Sequence, residues 1–294
     1  MSTQYQTILL VGERLRSYRI GKGLTPDEVA EKTGISRAAI YRYESGKPIK
    51  SDVLGKIADL LEVSLTSLFG VGSEYTDSAL TFFERMKQIE ASAEQISVMF
   101  GPISYLLTTD KFDAILGKVL RESVPDSAVD RRSLEPEIHQ ILTTLLERKA
   151  NFTKRRPNIV SLVSSAELEQ FAHNGFVGRQ GITGATLNER RAIAKHEIKN
   201  IINLLREQPM GVQIGVVEDA TPGASFQIFR SGVHAQVAVS PFRLGTYPNV
   251  RIGVATITSS QESVHLHQKV TEQLWKNSLK GAKAIERLER ILKG

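Results

Sequence analysis

One short segment limits the possible folds of this chain more than any other: residues 24–50, LTPDEVAEKTGISRAAIYRYESGKPIK. Thr25 suits an N-cap. Pro26 suits the first helical position, where a missing N–H costs nothing, and Glu28 completes a capping box with Thr25. The helix so begun ends at Thr33-Gly34 after about two turns, because Gly admits the left-handed backbone that a sharp turn requires. Ser36 then caps a second helix over 37–45. Ala30 is small where two helices would cross closely. Ile35, Ile40 and Tyr43 supply the buried side of the second helix, Ile40 and Tyr43 falling within about 60° of each other. Arg37, Ala38, Tyr41, Arg42 and Ser45 occupy the opposite arc.

That outward arc has the chemistry of a major-groove reader. Arg can bond a guanine edge in bidentate fashion, and Ala or Tyr can contact a thymine methyl. Ser36 and the backbone N–H groups of the helix start can approach phosphates. A surface Arg on a short helix is ordinarily just solvated; the capping box, Ala30, Gly34, Ile40 and Tyr43 at fixed spacing reverse that expectation. Lys22, Lys47, Lys50 and Lys56 suit a phosphate contact and plain solubility equally.

Residues 9–69, through the pattern LRSYRIGKGLTPDEVAEKTGISRAAIYRYESGK, resemble a Cro/C1-type helix-turn-helix domain of the Xre family of bacterial regulators. The resemblance implies a mainly α domain of five helices whose third enters the major groove. It implies base contacts from Arg37, Ala38, Tyr41 and Arg42 and backbone contacts near Ser36, Lys47 and Lys50. It also implies a structural ion pair between Arg14 and Glu44. Pro26 departs from the family pattern, in which many members carry a Gln that touches DNA; recognition here leans more on the third helix.

Composition narrows the rest. A length of 294 residues suggests about two domains. The absence of Cys excludes disulfides, Cys-based metal sites and thiol switches. No stretch approaches the roughly 20 apolar residues of a membrane helix. The first residues lack a basic segment followed by an apolar core, so no signal peptide and a soluble cytoplasmic protein are expected. The net charge of +6 divides as +2 in residues 1–70 and +4 in the remainder. DNA binding must therefore rest on where charges sit rather than on bulk charge.

Residues 1–70 are expected as the DNA-binding domain, 71–77 as a linker and 78–294 as an α+β domain. Helical spacing runs over 78–99, 111–122 (stopped by VPDS) and 134–154. A strand and a short helix follow, with Gly175 as C-cap, then a long helix with Thr186 as N-cap, Glu189 closing its capping box and Pro209 ending it. GVQIGVV, SFQIF, AQVAVS and VRIGVATI read as strands separated by Thr-Pro-Gly, Ser-Gly and Tyr-Pro-Asn turns, which predicts a small, mostly antiparallel sheet. The tail, 262–292, is helical, with Gly281 dividing it.

One helix-turn-helix reads about 4–5 base pairs, so a homodimer on a pseudo-palindromic double-stranded DNA operator is expected, joined through the helix at 78–99 or the tail. The larger domain exceeds what dimerisation requires, and a small-molecule effector is the expected reason. Its order of elements distantly resembles the C-terminal regions of some longer Xre-type regulators, a likeness that carries no functional residues. Arg179, in NGFVGRQGITG, is the candidate anchoring charge. His265 and His267 would share one face if extended, but no third ligand has convincing spacing, so no metal and no cofactor are expected. No Gly-rich piece has P-loop or dinucleotide-fingerprint form, and no Ser–Lys self-cleavage pattern is visible. Phe226, Phe229 and Tyr247 read as core or turn aromatics. The basic run Arg148-Lys149, Lys154-Arg155-Arg156 reads as a solvated helix end. The expectation is a regulator and not an enzyme; the alternatives for 78–294 are an enzyme tethered to DNA or a protein-interaction domain.

Overall fold

Five helices precede the first strand: α1 (Thr3–Gly21), α2 (Pro26–Thr33), α3 (Arg37–Glu44), α4 (Ser51–Leu61) and α5 (Leu65–Phe69). The computed structural model describes residues 3–99, 101–124, 134–218 and 224–294, with side chains from residue 10 onward. The expected turn at 221–223 and the helix stop at 125–127 lie outside these residues. α2 and α3 are held by their caps. The Glu28 N–H donates to Thr25 Oγ1 at 3.2 Å and the Thr25 N–H donates to Glu28 Oε2 at 2.7 Å, which closes the capping box. Gly34 has φ 70°, the left-handed turn that ends α2. The Ser36 hydroxyl accepts from the Ala39 N–H at 3.3 Å and starts α3. Val11, Leu15, Tyr18, Val29, Ile40, Ile57 and Leu68 form one core among the five helices. α1 and α3 cross at Gly12, where a Cβ would lie 2.3 Å from the Tyr43 carbonyl oxygen, so that contact requires glycine.

The rest of the chain runs β1 (Ser73–Thr76), α6 (Ala79–Ser92), β2 (Gln95–Met99), a 3-10 turn (Tyr105–Leu107), α7 (Asp110–Glu122), α8 (Leu134–Arg155), β3 (Asn158–Ser164), α9 (Ser165–Asn174) and α10 (Gly184–Glu207). It continues through β4 (Val212–Val217), β5 (Ser225–Ser231), β6 (His234–Ser240), β7 (Ala255–Thr258), α11 (Gln261–Asn277) and α12 (Gly281–Lys293). Among the described residues, the expected small antiparallel sheet is instead a mixed sheet of seven strands in the order β1-β7-β6-β5-β2-β3-β4. β5, β6 and β7 do form an antiparallel meander, while β2, β3 and β4 are parallel and joined by helical crossovers, the connection that parallel pairing demands.

Three other expectations change. The helix over 78–99 stops at Ala93, and its last five residues are strand β2: Ile96 keeps the helical spacing of Met86 and Ile89 but is buried between β3 and β5. The stretch 71–77 is not a free linker. It contains β1, which pairs antiparallel with β7 at the sheet edge, and its Glu74 is buried. The long helix begins at Gly184 with Thr183 as N-cap, not at Thr186, so the expected capping box does not form.

The sheet has helices on both faces. Ile96, Val98, Ile159, Phe229 and Ile257 pack under α6, α7 and α8. Val163, Ile214 and Val216 pack under α9, α10 and α12. On the other face Leu162, Phe226, Ile228 and Val237 meet Val264, Leu274 and Trp275 of α11. Among the described residues, no helix is long and apolar enough to cross a membrane.

Candidate nucleic-acid interface

α3 buries Ile40 completely, half-buries Tyr43, and turns Arg37, Ala38, Tyr41, Arg42 and Ser45 to solvent. Tyr41 is 47% exposed, a large aromatic surface that a core residue would not leave open. Ser36 precedes this face with its backbone in extended form. Lys47 follows it and Lys50 occupies the N-cap of α4, both exposed. Ser36, Arg37, Ala38, Tyr41, Arg42, Ser45, Lys47 and Lys50 are all exposed. The groups are partly engaged with one another. Arg37 Nε lies 3.1 Å from Asp27 Oδ1 at the start of α2, and its guanidinium sits 5.4 Å from the Tyr41 ring centre. The hydrogen bond to Tyr41, and then the Asp27 charge, raise the Arg37 pKa above its already high ordinary value. An exposed pair of this kind is worth little and exchanges readily for another anion.

The support beneath α3 differs from expectation in one respect. Glu44 pairs with Arg19, not Arg14: Arg19 Nη2 donates to Glu44 Oε2 at 2.9 Å and Nη1 donates to the Leu24 carbonyl at 2.7 Å. Arg14 instead donates through Nε to Glu74 Oε1 at 2.7 Å. The two arginines are five positions apart on α1 and so point about 140° away from each other. Only Arg19 faces α3.

A helix-turn-helix family model matches residues 15–68, the span from α1 to the end of α5. The chain is 34% identical over 86 residues to the cryptic phage CTXphi transcriptional repressor RstR of Vibrio cholerae, covering 29% of this chain and 75% of that one. The chain belongs to the Cro/C1-type helix-turn-helix (Xre) family. It is also 26% identical over 205 residues to a protein of Pyrococcus furiosus named as an HTH-type transcriptional regulatory protein, covering 67% of this chain and 55% of that one. The chain thus matches about half the length of that relative. Over 90% of its length it also superposes loosely, with a TM-score of 0.33 and 12% identity, on TrmBL2, an archaeal chromatin protein whose structure is described as a novel mode of DNA binding. At that score the likeness carries no argument.

Outside the helix-turn-helix domain the structure scatters the other candidates. Arg179 is exposed in the loop between α9 and α10, beside Gln180 and Tyr247. His265 and His267 lie on α11, not on a strand. His265 is exposed, while the His267 ring stands edge-on to Phe226 with its Nδ1 2.8 Å from the Ser263 carbonyl. Within the basic run, Arg148 is buried against Glu90 and Arg155 caps the end of α6 through the Glu90 and Ala93 carbonyls. Of the two helices considered for dimerisation, α6 is buried nearly all round, while α11 leaves Leu266 and Val270 exposed. The Asp27–Arg37 pair escapes sequence reading. Its signal was present in Asp27, an acidic residue in the first turn of α2, but the pairing depends on how α2 and α3 cross.

Proposed function

We propose that this protein is a cytoplasmic, sequence-specific DNA-binding transcriptional regulator, not an enzyme. It acts as a homodimer on a pseudo-palindromic operator and is modulated by a small-molecule effector. The solvent face of α3 carries the reading: Arg37, Ala38, Tyr41 and Arg42 read base edges in the major groove, while Ser36, Lys47 and Lys50 hold the phosphate backbone. Membership of the helix-turn-helix family, and the regulator names of the two relatives, support it. The dimer follows from the shortness of one half-site. The exposed Leu266 and Val270 of α11 are the face assigned to it. An effector that binds two arrangements of the larger domain unequally changes the spacing of the two recognition helices, and one that binds both equally does nothing.

Selection of bound DNA from a random pool tests this. The expected product is a two-fold symmetric site with half-sites about one helical turn apart. The same pool offered to a chain with Arg37, Tyr41 and Arg42 changed to Ala and Ala38 to Glu is expected to yield no enriched site. Enrichment of the same site by that variant would refute the assignment.

A further inference from the structure

A chamber of about 90 Å³ lies under α6, at the carboxyl end of β2. Strand order reverses at β2: the chain runs outward through β3 and β4 on one side and then returns to β5 on the other. In open α/β sheets, ligands settle outside the carboxyl ends of strands at such a point. Phe82, Phe83, Phe112, Phe171 and Phe242 line the chamber. A wider cleft of about 310 Å³ adjoins it and shares Pro102, Phe171, Ser240 and Arg243.

The polar groups of the chamber decide what it accepts. Arg148 donates to both oxygens of Glu90, at 2.9 and 2.6 Å, and the Tyr105 hydroxyl donates to Asp113 at 3.0 Å. Neither is free to hold a charged ligand, and the other cation, Arg243, is exposed where the chamber meets the cleft. Gln227 sits on β5 between Val98 and Ala238, which also line the chamber. Its Oε1 is buried and has no hydrogen-bond partner among the described residues. A buried acceptor without a donor is unfavourable, and a ligand that brings an O–H or N–H removes the penalty. The walls ask for one small flat apolar body and the acceptor for one neutral donor.

α6 connects this chamber to the helix-turn-helix domain. Phe82 and Phe83 face the chamber, while Thr81, Arg85 and Gln88 face α1 and β1. A Cβ on Gly21 would lie 1.6 Å from Thr81 Oγ1, so the two helices touch. Arg85 donates to Glu74, which also accepts from Arg14, and Gln88 Nε2 donates to the Glu13 carbonyl at 2.9 Å. α1 in turn meets α3 at Gly12. Resting on the reading of the protein as an effector-controlled regulator, we propose that the chamber is the effector site. It takes a neutral single-ring aromatic whose O–H or N–H donates to Gln227, and α6 carries its occupancy to α1 and α3.

The test uses the full chain and three probes: phenol and aniline, which carry a donor, and toluene, which has a methyl in its place. Calorimetric titration is expected to show phenol and aniline binding about tenfold tighter than toluene. Gln227→Leu, which keeps an apolar wall and removes the acceptor, is expected to level or reverse that order while still binding toluene. Gln227→Met, with an unbranched chain, repeats the measurement should the Leu variant not fold. Failure of all three probes to bind the unaltered chain, or an unchanged preference in the variants, overturns the site. In a second arm, phenol is added while the selected DNA is titrated. It is expected to change DNA affinity several-fold for the unaltered chain and not for Gln227→Leu. Binding of phenol without that change overturns the effector role and leaves the DNA-binding reading standing. Failure to select any DNA defeats that reading and the effector role with it, and leaves the chamber to be judged by the first arm alone.

Discussion

Arg37 meets solvent already holding Asp27 and the face of Tyr41, so reaching a base edge means giving up a carboxylate for neutral acceptors. On the proposed reading the arginine itself is the specific contact. Arg37→Ala is expected to cost about 1–3 kcal/mol on the selected site and to relax preference at one base position, as read by titration against single-base variants. Asp27 works against binding twice, by occupying the guanidinium and by repelling phosphates. Asp27→Asn is therefore expected to tighten DNA binding several-fold at low salt, with the gain shrinking as salt rises. Unchanged or weaker binding would sink that account. Lys50, at the N-cap of α4, is a phosphate contact on this reading, so Lys50→Ala should weaken all sequences alike and lower the salt slope by about one.

α2 and α3 are only eight residues each, too short to stand alone, so their stability comes from caps and from what lies beneath them. Glu44 is in the last turn of α3, where a carboxylate opposes the helix dipole. Arg19 offsets this by gripping it in a buried pair. Glu44→Ala leaves that guanidinium buried without its partner and is expected to cost about 3–5 kcal/mol, measured by urea denaturation. Gly34→Ala should cost less, about 1 kcal/mol, because the position needs a φ of 70° but a Cβ there would meet nothing within 4 Å. An order reversed between these two variants would show that the turn, not the pair, holds α3. The capping box and Gly34 were legible in the residues because caps act within four positions of themselves. The end of α6 was not. Ala93 and Ile96 continue its apolar spacing, and only the neighbours β3 and β5 make Gln95–Met99 a strand.

At the scale of the molecule, Glu74 joins three elements. It lies on β1 and accepts from Arg14 of α1 and from Arg85 of α6, all three buried. Burial alone would push its carboxyl up; Arg85 and Arg14 outweigh that and hold it below its ordinary 4.5. The Tyr18 hydroxyl, buried beside Glu74, is pushed up to about 12. A carboxyl depressed in the native state contributes its stability fully above the unfolded value and loses it as pH falls from about 4.5 through the lower native value. Docking of the N-terminal helices is expected to weaken over that acid window. Urea midpoints of the unaltered chain and of Glu74→Gln, measured from pH 7 to pH 3, are expected to converge as pH falls. A gap that stays constant with pH would show that the carboxylate charge contributes nothing to the docking.

Local chemistry was sufficient for the helix-turn-helix. Thr25, Glu28, Gly34 and Ser36 act through hydrogen bonds and dihedrals within a few residues, and Ile40 and Tyr43 against Arg37 and Tyr41 set the inward and outward faces by helical period alone. Pairings between distant residues depended on the tertiary structure. Which arginine of α1 meets Glu44 follows from how α1 crosses α3. That 71–77 contributes a sheet edge, that β2 is a strand, and that five phenylalanines and Gln227 surround one chamber follow from how strands far apart in the chain align. Those alignments are settled by burial summed over the whole sheet, a quantity that no window of sequence contains.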